Sequence, residues 1–395
     1  MAADQNNNVT RDVTVVHFLL MFGYKLFSVY FPLFLAASGF SLPQVGWSYL
    51  LIYLPIAVGA PFIGFLCRKT NPVLLMVSGV LGYAMYALAM IFAGNSAFFY
   101  FWQVVLGLSA ALFFTSSRIL LMGYPMRNVE RGFSWFYNAP NWADIVAPAV
   151  GAFLLWKTNF TVIFLACFVI QTAGAAYALF KLWRVPVPAK TDFTVSDWLA
   201  NWRSLFKKLA NRRVAPYALV SFALLWQAGL YSAFFVLFLK NSLSWNKNQI
   251  LLFIPLAAAV FSIAYFAVIR PAQKDKNESS IVNGSLVSSF ASLLFLLPLP
   301  LLNSINVFAI DFVQNAGAFL SVSGRSALLT RKLVTVPAEA GALDTMFSPL
   351  GTAFGSLTAG FLIGPLGYQG LFFWGGAIVI VLTLVARWIA IAGKD

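Results

Sequence analysis

The sequence predicts an all-α integral membrane protein whose twelve transmembrane helices fall into two pseudo-symmetric halves of six. Three observations lead there. First, 61% of the 395 residues are hydrophobic and only 10% charged, with a mean hydropathy of +0.82. Globular domains run at about 45–50% apolar and about 25% charged, so no soluble core of this length would hide the apolar surface. Second, twelve segments are long and apolar enough to span a bilayer, which takes roughly 20 residues. Third, the basic residues collect on alternate loops.

The opening "MAADQNNNVTRDV" is polar, and the first apolar segment covers 13–36. At its end "FLAASGF" (34–40) loosely resembles a signal-cleavage site. The stretch before it is too long for a signal peptide and carries Lys25, so it is expected to stay as a helix. Segments 44–66, 72–93, 97–123, 132–155 and 160–183 complete the first half, with "GNS" at 94–96 as one of the tight joints. The second half reads 214–239, 248–270, 280–302, 304–329, 341–363 and 370–391, the last two joined by "GPLGYQG". The expected domains are therefore 1–183 and 214–395, connected by a linker at 184–213. In that linker "SDWLANWRSLFKKLANRR" places Trp198, Leu199, Trp202, Leu205, Phe206 and Leu209 on one helical face. Arg203, Lys207, Lys208 and Arg212 take the other, the pattern of a helix lying on the membrane surface.

With both termini cytoplasmic, the cytoplasmic side holds Arg11, Arg68, Lys69, Arg127, Arg131, the central-loop cluster, Arg270, Lys274, Lys276, Arg331, Lys332 and Lys394. The other side keeps only Lys157, Lys240 and Lys247. This is the positive-inside pattern, expected of a bacterial inner membrane protein. The formal net charge of +14 is then a topology signal, and nucleic acid is not an expected partner. One histidine excludes a histidine-rich metal site, and Cys67 and Cys167 have no evident disulfide or metal partner. A phosphate-cradling glycine loop and a nucleophile elbow are both missing from the sequence. No enzyme, cofactor or metal is expected, and the energy source should be a gradient.

The halves resemble each other. "FPLFL" (31–35) and "FVLFL" (235–239) end the first and seventh segments. Gly132, Pro140 and Gly151 share their spacing with Gly341, Pro349 and Gly360, and Arg118 and Arg325 fall at similar depths. Parallel repeats of this kind are one architecture of secondary transporters.

Twelve helices in two halves with a long central loop resemble the major facilitator superfamily over nearly the whole chain. After helix two that family has a glycine, then an acid four positions on, then basic residues. "GFLCRKTNPV" (64–73) keeps Gly64, Arg68 and Lys69 but places Arg68 where the acid belongs. Glu130, Arg131 and Gly132 resemble the usual start of helix five. "APAVGA" (147–152) resembles the Gly-Pro-x-x-Gly-Gly motif of exporters of the antiporter type, with alanine for two glycines. The resemblance implies alternating access around a central cavity lined by helices one, four, seven and ten.

Charges inside a membrane are costly and mark functional sites by default. Lys25 and Asp144 each lie about twelve residues into their segments, and the two are expected to pair. Such a pair either fixes packing permanently or is broken during transport, when Asp144 takes a proton or a substrate anion reaches Lys25. Ser134, Asn138, Asn141 and Asp144 form one polar stripe, while Tyr24 and Ser28 flank Lys25. Trp226, Gln227 and Tyr231 on helix seven, with Gln314 and Asn315 on helix ten, complete the expected substrate site. Asp311 joins Asp144 as a proton-coupling candidate. Arg118 and Arg325 either snorkel or serve an inner gate, and His17 is expected at the interface.

The function expected is proton-coupled antiport, exporting a small amphipathic organic compound, by a monomer in a lipid bilayer. Symport of an organic anion or sugar is the alternative within the class. A lipid flippase and a non-transporting scaffold or sensor are the alternatives outside it.

Overall fold

The computed structural model describes residues 2–94, 96–122, 129–183, 185, 194–211, 214–264, 277–332 and 337–392. Arg127, Arg184, Lys190, Arg212, Arg213, Arg270, Lys274, Lys276 and Lys394, together with the side chains of Glu130, Arg131, Ser134, Arg331 and Lys332, lie outside the described residues.

The described chain is helical. α1 (Ala2–Ser28) and α2 (Phe31–Ala37) form one span bent by 42°. Pro32 lacks an N–H, so the Ser28 carbonyl loses its usual partner and the helix breaks there. α3 (Leu42–Lys69), α4 (Pro72–Met90), α5 (Ala97–Met122), α6 (Val129–Lys157) and α7 (Phe160–Leu182) follow. α8 (Val195–Leu209) is the linker helix, and α9 (Ala215–Ser232) with α10 (Phe235–Asn241) forms the seventh span. The two related sequences thus have the same structural outcome: "FPLFL" and "FVLFL" each open a short helix after a break.

α11 (Lys247–Ala264), α12 (Asn277–Leu293) and α13 (Ser304–Lys332) lead to α14 (Pro337–Ala392). The last is two spans in one run, interrupted at Gly367 with φ 67° and ψ 171°, a conformation essentially restricted to glycine. Among the described residues nine helices are long and apolar enough to cross a membrane, or ten with the bent α1–α2 pair. The second half of α14 is the eleventh. α6 is the twelfth, and it falls short on composition because Asn138, Asn141 and Asp144 occupy its middle.

The helices group into two compact units. Unit 1 comprises residues 1–39, 58–193 and 254–262, and unit 2 comprises 40–57, 194–253 and 263–395. In unit 1, α1 packs on α6 and α7, and α4 packs on α5 and α7. In unit 2, α9 packs on α14, and α12 packs on α13 and α14. Matched by position in each half, these are the same pairings, so a duplicated sequence pattern has produced a duplicated packing pattern.

Glycines set the closest approaches. A Cβ on Gly151 of α6 would collide with the Leu26 carbonyl oxygen of α1, and one on Gly355 of α14 would collide with the Trp226 carbonyl of α9. Gly360, which the spacing matches to Gly151, instead lies against Leu42, Pro43 and Gly46 of α3. The shared spacing thus picks out two close-packing glycines whose neighbours differ. Gly151→Ala is expected to destabilise the protein by about 1–3 kcal/mol, the usual cost of overpacking. Gly94→Ala, where a Cβ meets nothing within 4 Å, should change little. Thermal unfolding of the two variants side by side checks this.

His17 is a correction. It is 2% exposed, with its ring 4.4 Å from Phe136, 5.3 Å from Phe113 and 5.6 Å from Phe114. It is a buried residue, not an interfacial one. The reason is Pro140, four residues after Phe136: with no N–H at 140, the Phe136 carbonyl is released from the helix ladder. His17 Nδ1, 3.0 Å away, donates to it. His17→Leu should therefore cost about 1–3 kcal/mol, the penalty of a stranded buried acceptor. Adding Pro140→Ala returns a backbone N–H to that carbonyl and should recover part of the loss in a thermal-melt comparison.

Candidate functional site

Unit 1 holds a charged pair where α1 meets α6. Tyr24, Lys25 and Ser28 share a side of α1 near its end, and Asn138, Asn141 and Asp144 recur along α6 at every third residue. The Gly151 contact draws the two helices together one residue beyond Lys25 on the α1 side. Lys25 Nζ lies 2.7 Å from Asp144 Oδ1, within the range of a charge-assisted hydrogen bond. The two side chains are 25% and 32% exposed. Neither is fully enclosed by the protein around it. Pro148, four residues after Asp144, leaves the Asp144 backbone carbonyl without its helical donor, so the acid sits on a weakened stretch of helix.

The neighbouring groups are half-buried, apart from the fully buried Tyr30. Tyr24 packs edge-on against Phe27 and Tyr83, at 5.4 and 5.7 Å. Tyr30, in the break between α1 and α2, donates its hydroxyl to the Pro148 carbonyl of α6 at 2.9 Å. Ser28, Asn138 and Asn141 are all partly exposed, and Arg118 lies half-buried on α5, on the helix whose Phe113 and Phe114 flank His17.

Unit 2 holds a second acid, Asp311 on α13. Tyr231 donates its hydroxyl to Asp311 Oδ1 at 2.7 Å, and Asn315 Nδ2 donates to the same oxygen and to the Asp311 carbonyl, both at 2.9 Å. The Tyr231 ring is held by Phe235, Phe295 and Phe372, with centroids at 4.5, 5.5 and 5.2 Å. Asn315 is exposed, so the acid is reached from one side. Asp144 faces a cation, whereas Asp311 is held by two neutral donors; among the described residues no ion pair engages it.

Other expected site residues are engaged in packing. Gln227 is 2% exposed; its amide nitrogen donates to Ser292 at 2.6 Å and its oxygen accepts from Ser289 at 2.7 Å. Both ends of the amide are satisfied by α12. Trp226 donates to the Thr358 hydroxyl at 3.3 Å, and Gln314 is buried with its side-chain oxygen unbonded. Gln227 and Trp226 thus tie helices together, as polar groups do in membrane interiors.

Arg325 has a partner that sequence reasoning missed. It is 3% exposed, and its Nε donates to Asp344 Oδ1 of α14 at 3.0 Å. Ser326 adds hydrogen bonds to both Asp344 oxygens, at 3.1 and 2.9 Å. The guanidinium also lies 5.4 Å from the Phe347 ring. Arg325 therefore does not snorkel: it is a buried half of an ion pair. The signal was available, because Asp344 is an acid inside the eleventh apolar segment, the criterion that singled out Asp144.

Comparisons with known proteins agree with this architecture. The sequence profile of the Major Facilitator Superfamily matches residues 13–342. No curated protein matches the chain. Among solved structures, a POT family transporter in complex with 5-aminolevulinic acid is 16% identical with a TM-score of 0.77, over 98% of this chain and 96% of that one. The nucleoside transporter NupG is 12% identical with a TM-score of 0.77, over 96% and 99% of the two chains. A peptide transporter POT in complex with sulfate is 15% identical with a TM-score of 0.75, over 96% and 94%. At such identities the likeness is one of fold.

Proposed function

The chain belongs to the Major Facilitator Superfamily, and from that premise we propose that it is a secondary active transporter that exports a small amphipathic organic compound in exchange for protons. The observation that carries the proposal is the Lys25–Asp144 pair, which lies deep in the membrane span yet is a quarter to a third exposed. We read that exposure as access from a water-filled cavity, the route that a proton or a solute would take to the pair. A proton on Asp144 removes the charge that faces Lys25, and the ammonium and the Asn138 and Asn141 amides then offer donors to a solute. The cycle works by alternating access. Asp311, held by Tyr231 and Asn315, is the second proton-coupling candidate. The likeness of "APAVGA" to the antiporter motif supports the export direction.

A second reading, proton-coupled symport of an organic anion, is favoured by Lys25 itself. A solute carboxylate would replace Asp144 as its partner, and solved relatives of the same fold are held with 5-aminolevulinic acid and with peptide conjugates.

Proteoliposomes loaded with a pH-sensitive dye and given an inward solute gradient test the assignment. Alkalinisation of the lumen that depends on solute and is abolished by Asp144→Asn is the expected result. Acidification would overturn antiport in favour of symport. Transport that persists unchanged in Asp144→Asn would remove the pair from the mechanism.

A further inference from the structure

Linker helix α8 has three faces, not two. Trp202 and Leu205, 7% and 0% exposed, are packed into unit 2 against Leu225, Leu329, Leu343 and Phe347. Leu199 and Phe206, one position round the helix from that docked edge, are 53% and 51% exposed. Beyond them, Arg203 and Lys207 form an exposed basic stripe. The order around the helix is thus docked apolar, open apolar, basic.

The place of docking fixes what the open apolar edge meets. Leu329 is near the end of α13 at Lys332, and Leu343 is near the start of α14 at Pro337, each within about two turns of a span's end. α8 therefore lies where the spans leave the membrane. With 15 residues it is only ~22 Å long, too short to cross the bilayer. Its N-terminus is fixed by a reciprocal cap. The Thr194 amide donates to Asp197 at 2.8 Å, and the Asp197 amide donates to the Thr194 hydroxyl at 3.2 Å. The Thr194 amide and hydroxyl, both donating to the Asp197 carboxylate, hold it below the usual carboxylate range. An apolar edge flanked by cations at the end of a membrane span matches the boundary between acyl chains and phosphates.

We infer that α8 is a binding surface for anionic phospholipid, with Leu199 and Phe206 seated at the acyl boundary and Arg203 and Lys207 on the headgroup phosphates. The helix thereby ties unit 2 to the leaflet at this end of the membrane, and the tie depends on lipid charge.

Nitroxide labels at Leu199→Cys, Phe206→Cys and Ala200→Cys in the full-length protein test this, because Cys67 and Cys167 are buried and leave the introduced thiol as the reactive one. In vesicles rich in phosphatidylglycerol, labels at 199 and 206 should be relaxed by oxygen far more than by a water-soluble nickel chelate, and the label at 200 the reverse. Native mass spectrometry should show retained phosphatidylglycerol weakened roughly fivefold for each of Arg203→Gln and Lys207→Gln. Labels at 199 and 206 that respond mainly to the nickel chelate would overturn the inference. So would labels shielded from both reagents, which would mean that protein covers the edge. Phosphatidylglycerol and phosphatidylcholine retained equally by wild type and variants would overturn the charge assignment.

Discussion

Lys25→Met alone is expected to damage the protein more than Lys25→Met combined with Asp144→Asn. Removing the lysine leaves a carboxylate in the membrane interior with its cation gone, and stranding one member of a fully buried pair costs about 3–5 kcal/mol. Exposures of 25% and 32% admit some water, so the loss here should fall toward the lower end. Neutralising both members removes the stranded charge and should recover stability, giving a coupling energy in the range of about 0.5–3 kcal/mol for groups in contact. Thermal unfolding of the four proteins in lipid nanodiscs measures that coupling. Transport should behave differently: if the pair opens during the cycle, the double variant folds yet carries no proton-coupled flux. Strictly additive unfolding losses would mean that the 2.7 Å contact contributes no stability.

The second large effect is an asymmetry at Arg325 and Asp344. Asp344→Asn should be the more harmful substitution, by about 3–5 kcal/mol, and Arg325→Met the less harmful. A guanidinium cannot shed its proton, and Arg325 is 3% exposed with Nη1 already lacking a hydrogen-bond partner. Deprived of the Asp344 charge, it keeps, among the described residues, a neutral amide oxygen and the Phe347 ring at 5.4 Å. Asp344 is better placed to stand alone: its side chain is 26% exposed, Ser326 hydrogen-bonds both oxygens, and a carboxylate is able to take a proton. Unfolding midpoints for the two single variants decide the matter. Equal losses would mean that the two ends of the pair are equally able to do without each other.

Much of this was legible in the chain before any coordinates. Twelve apolar segments, the duplicated "FPLFL" and "FVLFL" and the mid-membrane Lys25 and Asp144 follow from one fact: in lipid every backbone group must be satisfied within a helix. Length and apolarity therefore specify spans, and the few charges inside them stand out. The partnership of Lys25 with Asp144 was also readable, since two opposite charges at matching depth in one half have few alternatives. Asp311 was singled out, but its bonding to Tyr231 and Asn315 was not.

What only the tertiary structure decided concerns faces and neighbours. Gln227 and Tyr231 look alike as polar residues on one helix, yet packing gives Gln227 entirely to Ser289 and Ser292 and aims Tyr231 at Asp311. His17 looked interfacial until Pro140 released a carbonyl for it. The apolar face of α8 read as a single membrane contact, and docking on unit 2 divided it. Gly151 and Gly360 share a spacing but not a partner. The physical reason is common to all four: hydrophobicity and period determine that a residue must be buried, whereas its neighbour depends on how helices distant in sequence rotate and approach. That is set by residues on other helices, such as Pro140 for His17, and no local pattern records it.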